Sequence, residues 1–145
     1  QSVRNIGQWE FLTISDEEIV DTVRRSFFGD DELSRIYYGT LRLGSDLSKA
    51  KDNFIKVNND TVVVTLPPIT LLDHNFLDEA RTRSLIEDGK WTENDRAALT
   101  KKAERMMQKR CLVSANMKKA MSNANIQVAS LFHALGYKHV KVEIE

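Results

Sequence analysis

The chain has 145 residues, 41% of them hydrophobic and 29% charged, with 21 basic side chains against 21 acidic ones. That length suits one domain burying roughly 70% of the surface its unfolded form exposes, and the balanced charge argues against a dedicated nucleic-acid binder. The single cysteine, Cys111, excludes an intrachain disulfide and a cysteine-rich zinc site.

No apolar run approaches the roughly eighteen residues of a membrane span, and no signal peptide is visible. The charge is uneven, however. Residues 10–34 hold eight acids against Arg24 and Arg25, whereas residues 93–119 hold eight bases against Glu93, Asp95 and Glu104. Two solvated faces of opposite sign explain this simply, and complementarity within the fold or between copies is the sharper reading.

In chain order, Trp9, Phe11 and Thr13 alternate with Glu10, Leu12 and Ile14, and β-rich residues continue to Val23. The intervening Asp16-Glu17-Glu18 leaves one long bent strand and two shorter pieces both open. Phe27-Phe28-Gly29-Asp30-Asp31 reads as a turn into a second strand, Leu33 to Leu43, with Tyr37, Gly39 and Leu41 on one side and Ile36, Tyr38 and Thr40 on the other. After Gly44, Asp46-Leu47-Ser48-Lys49 fits a short helical turn capped by Asp46. Phe54–Val57 and Thr61–Leu66 flank Asn58-Asn59-Asp60 as a hairpin. Pro67-Pro68 stops its pairing or moves it to a sheet edge, and Ile69 to Leu72 adds a short strand.

The last third reads as helical, starting at Thr92 with Asp95 completing a capping-box-like signal. Leu99, Ala103, Met106, Val113, Met117, Ala120, Ala124, Val128, Leu131 and Leu135 recur at helical spacing, interrupted at Arg110. One helix and two are both open from Thr92 to Leu135, but at about 1.5 Å per residue an unbroken helix would far outrun the domain's other elements, so a break or bend is expected near Cys111–Ser114. Gly136 is a stop, and residues 137–144 alternate as a terminal strand. The fold expected is α+β: residues 9–72 mainly a twisted, mostly antiparallel sheet, residues 92–135 helices covering one face, then the final strand, all in one domain.

The residues that bear chemistry are sparse. Three histidines are too few and too scattered for a metal site, and neither a nucleophile elbow, a P-loop nor a dinucleotide fingerprint is present. Asp46, Asp73 and His74 are the polar candidates for a ligand-binding or hydrolytic site, each with an alternative role as a cap, turn or surface residue. Lys101, Lys102, Arg105 and Lys109 form a basic helical face that suits either solvent or an anionic surface. No aromatic residues interleave with these bases to stack on nucleotides. No cofactor or metal is expected, and the reading leans away from an enzyme.

Tyr38-Gly39-Thr40 through Gly44-Ser45-Asp46-Leu47-Ser48-Lys49, the hairpin ending Thr65-Leu66-Pro67, the Ala-rich charged helix and Ala134-Leu135-Gly136-Tyr137 together resemble one family. It is the bacterial domain-of-unknown-function family 4230, common in Bacteroidetes and Firmicutes, and the likeness runs from about Trp9 to Ile144. Ser45, and Asn53-Phe54 before the hairpin, depart from its usual pattern. The resemblance supplies no catalytic residues. Members usually carry a membrane anchor or lipoprotein signal, so the resemblance implies a soluble, membrane-tethered part of a cell-envelope protein whose anchor precedes Gln1. The function expected is a non-catalytic module that binds a protein partner or assembles with itself.

Overall fold

Alternating side chains carry β1 (Gln8–Ser26) through 19 residues without interruption. Of the two expectations for this stretch, the single long strand is the one observed. The computed structural model describes residues 7–145. A two-residue turn at Phe27-Phe28 returns the chain as β2 (Gly29–Asp46), longer at both ends than the expected Leu33 to Leu43. Its added residues are largely polar, and they hold strand geometry because β1 lies beside β2 in the sheet. Next come β3 (Ile55–Asn58), β4 (Thr61–Leu66), β5 (Ile69–Leu71) and β6 (Arg83–Glu87). The helices α1 (Glu93–Cys111) and α2 (Ser114–Ala134) then precede β7 (His139–Ile144).

The chain divides into two units, and both long strands contribute to each. The first takes the described part of Gln1–Thr13 with Arg42–His74 and Ser114–Glu145, and the second takes Ile14–Leu41 with Asn75–Val113.

In the first unit, β3 and β4 form the expected antiparallel hairpin, Ile55 opposite Val64 and Asn58 opposite Thr61. Asn59 turns it with a φ of 57°, a left-handed conformation that Asn tolerates better than most residues. The terminal strand β7 joins β4 in parallel, from Thr61 opposite His139 to Leu66 opposite Ile144. The stretch Leu43–Ser45 of β2 pairs antiparallel with β5. Packing of α2 on β5 and β7 buries Ala120, Ala124, Val128 and Phe132 at successive four-residue steps. Ser45 is fully buried and donates to Pro67 O at 3.0 Å, so its hydroxyl satisfies a carbonyl at the end of the hairpin.

In the second unit, β6 pairs antiparallel with β2, and the register slips between Ser34 and Arg35, leaving Leu85 as the extra residue of a bulge. β6 was not expected, because all five of its residues are exposed and it shows no apolar face. The capping box of α1 is complete: Asp95 N donates to Thr92 Oγ1 at 3.1 Å and Thr92 N to Asp95 Oδ2 at 2.9 Å. The buried stripe is Leu99, Ala103, Met107 and Cys111.

That stripe corrects two expectations. Met107 is buried where Met106 was expected, because the four-residue step continues unbroken to Cys111. In α2 the same step leads to Phe132, leaving Leu131 only partly buried and Leu135 64% exposed. The expected break is present: α1 ends at Cys111 and α2 begins at Ser114.

Candidate functional site

The most conspicuous surface feature is the tip of the β1–β2 hairpin. Phe27 and Phe28 are each 96% exposed, and their rings meet edge to face with centroids 5.5 Å apart. Two-residue turns place their central side chains outward, and Gly29 follows with a φ of 125°, closed to L side chains. The flanks hold the tip in shape. Arg25 Nη1 reaches Asp30 Oδ2 at 3.2 Å and Arg24 Nη2 reaches Asp31 Oδ2 at 3.8 Å, pairing charges across the hairpin. Arg24 also lies over the Trp91 ring at 4.2 Å and donates to Lys90 O. Deeper in the unit, Asp21 hydrogen-bonds the Glu32 carboxyl and raises its pKa above the ordinary 4.5. The arginines flanking the tip are thus matched by acids, leaving two bare aromatic rings on a braced support.

Further along β1, two carboxylates share one arginine. Glu18 is 4% exposed, with Oε2 2.8 Å from Arg110 Nε and Oε1 accepting from Arg110 Nη2 at 3.3 Å. The Nε contact is an ion pair without hydrogen-bond alignment. Asp16 Oδ2 stands 4.0 Å from the same Nε. Burial first, then the hydrogen bond and charge of Asp16, push the Glu18 pKa up against the pull of Arg110. Burial, with the charges of Asp16 and Glu18, likewise raises the Cys111 thiol, which disfavours the reactive thiolate.

The polar residues singled out in the sequence lie in the first unit and are not gathered together. Asp46 caps the 3-10 turn Leu47–Lys49, accepting from Ser48 N at 3.1 Å and Ser48 Oγ at 2.6 Å. The Ser48 hydroxyl is the main reason its pKa lies below the usual carboxylate value. Asp73 and His74 are exposed just after β5. Leu72 N donates to Arg42 O, so Asp73 lies beyond one end of the Arg42–Asp46 stretch and Asp46 at the other. At about 3.3 Å per residue those ends are roughly 13 Å apart.

The basic residues Lys101, Lys102, Arg105 and Lys109 are all exposed on α1, and their spacing places them within one arc of the helix. Lys102 Nζ donates to Asp21 O at 3.3 Å, which ties part of that face to β1. Among the described residues, no group of His, Cys, Asp and Glu is arranged to hold a metal ion. Nor is any helix of the described residues long and apolar enough to cross a membrane.

The model of the family described as "Protein of unknown function (DUF4230)" matches residues 1–142. The chain belongs to this family. No curated protein and no solved structure gives a match. The DUF4230 chain therefore takes no activity from a relative, and its function has to be argued from its own surface. The hairpin tip was legible in sequence only as a turn. An aromatic pair at the centre of a turn, where Gly, Asn and Asp usually stand, is the one signal in the sequence that sets this turn apart.

Proposed function

We propose that this DUF4230 domain is a non-catalytic interaction module that docks a protein partner, or a second copy of itself, through the Phe27-Phe28 tip. The exposure of both rings carries this reading. Leaving two phenylalanines in water forgoes about 1.5–3 kcal/mol each, a free energy that docking would recover. The ion pairs and the Trp91 contact brace the tip before a partner arrives, so little ordering entropy opposes binding. Arg24 and Arg25 already face Asp31 and Asp30, so the tip offers no unpaired positive charge for anionic headgroups. A protein pocket suits it better. The family's usual membrane anchor supports placing this interaction at the cell envelope.

The test is association. Light scattering across a concentration series would detect a second copy, and capture from detergent-treated envelope extracts would detect another protein. The double variant Phe27→Ser, Phe28→Ser should lose the association and keep its fold. A domain that stays monomeric at every concentration, and captures the same proteins with and without the two rings, would sink the proposal.

A further inference from the structure

The second unit contains a recess of about 580 Å³ that the hairpin-tip reading does not use. That volume lies within the roughly 300–1,000 Å³ of small-molecule sites. Three separate stretches wall it: Arg35 and Tyr37 of β2, the segment 77–82, and the side of α1 that carries Ala97, Thr100 and Glu104. Tyr37 is 1% exposed, and its hydroxyl lies 3.3 Å from Thr100 Oγ1. Beside it stands Arg35, next to the bulge that β6 makes against β2.

Arg35 is the anomaly. Its guanidinium carbon lies 5.7 Å from the centroid of the Tyr37 ring. Its Nε is sealed from solvent and has no hydrogen-bond partner among the described residues. A ligand in the open recess cannot reach an atom sealed from water, so it would meet Arg35 through the two outer Nη groups, and that planar fork matches a carboxylate that takes two N–H groups at once. The other arginine of the recess is already engaged. Arg96 reaches Glu87 at 3.2 Å and Glu93 at 3.6 Å, and donates to Trp91 O at 3.0 Å.

The remaining charges set the ligand's character. Glu79, Glu104, Arg35 and Lys101 line the recess without a close ion pair among the described residues, although the Arg35 charge is near enough to Glu87 to help lower that carboxyl's pKa. Acids and bases are equal in number here, so a dianion such as phosphate meets as much repulsion as attraction. A ligand carrying one charge of each sign meets neither problem. Glu104 is half-buried and Glu79 exposed, which makes Glu104 the stronger partner for a cation.

We infer that this recess binds a small zwitterion of the amino-acid class, its carboxylate held by Arg35 with the Tyr37–Thr100 hydroxyls, and its ammonium held by Glu104. The volume also admits a dipeptide, which presents the same two charges farther apart. Calorimetric titration of the 145-residue chain would test it, using the standard L-amino acids one at a time, alanyl-alanine, acetate, methylamine and inorganic phosphate. Saturable binding of at least one amino acid or of the dipeptide is expected, with phosphate silent. Loss of one charge-assisted contact should weaken that binding about tenfold or more in Arg35→Gln and in Glu104→Gln, and not at all in Lys109→Gln. Should Arg35→Gln fail to fold, Glu104→Gln and Thr100→Val carry the same prediction, the latter with a loss of several-fold. Silence from every zwitterion overturns the inference. So does phosphate binding more tightly than any zwitterion, or affinity that survives the substitutions unchanged.

Discussion

Glu18 shows how one buried side chain ties stability to pH. Burial and Asp16 raise its folded pKa above the ordinary value of 4.5. The folded chain therefore holds this proton more tightly than the unfolded chain does. Its contribution to stability is complete below 4.5 and is lost as pH rises through the raised folded value. Urea midpoints measured across that window should fall with rising pH, and Glu18→Gln should flatten the fall. Arg110→Met acts differently, since it leaves a buried carboxylate without its cation. A loss of roughly 1–3 kcal/mol is expected at neutral pH. An unchanged urea midpoint would show that Arg110 contributes nothing there.

At the scale of elements, two glycines of β2 make contrasting predictions. A Cβ at Gly44 would lie 2.1 Å from Trp9 O and 2.9 Å from Glu10 Cα, both backbone atoms of β1. A Cβ at Gly39 would meet Met107 Sδ at 2.6 Å, the end of a flexible side chain, with Phe76 O at 3.3 Å. Gly44→Ala should therefore destabilise by about 2 kcal/mol or more, because strand backbones cannot give way without breaking their pairing. Gly39→Ala should cost clearly less, since methionine repacks easily, and thermal melts of the two variants side by side would show it. Thr92→Ala removes one half of the α1 capping box and should cost about 1 kcal/mol.

Elements also show what could be read without coordinates. The α1 start was legible because a cap is a local hydrogen-bond pattern, written in Thr92 and Asp95. The β3–β4 hairpin was legible because two β-branched runs flank a turn sequence. β6 was not, because Arg83–Glu87 is held by pairing with β2 and buries no face of its own. The parallel partner of β7 was equally out of reach, since alternation reveals a strand and not the neighbour it chooses. Arg35 did leave a trace. It occupies the inward phase of Leu33, Tyr37, Gly39 and Leu41, where a charged residue needs a reason.

For the whole molecule, the tip variant separates folding from association. Phe27 and Phe28 touch little besides each other, so Phe27→Ser with Phe28→Ser should leave the thermal midpoint of the isolated chain almost unmoved, within about 0.5 kcal/mol. A large drop would show that the rings support the fold and that their exposure is no sign of docking. Sequence by itself determined the strands other than β6, the start of α1, the break before Ser114 and membership of the DUF4230 family, because all of these are written in local spacing and short motifs. Tertiary structure alone decided which side chains stay bare and which meet. The exposure of the Phe27-Phe28 tip, the pairing of Glu18 with Arg110 and the recess around Arg35 each depend on residues that sequence separation hides. Burial and charge compensation are properties of neighbours in space, and only the folded chain supplies those neighbours.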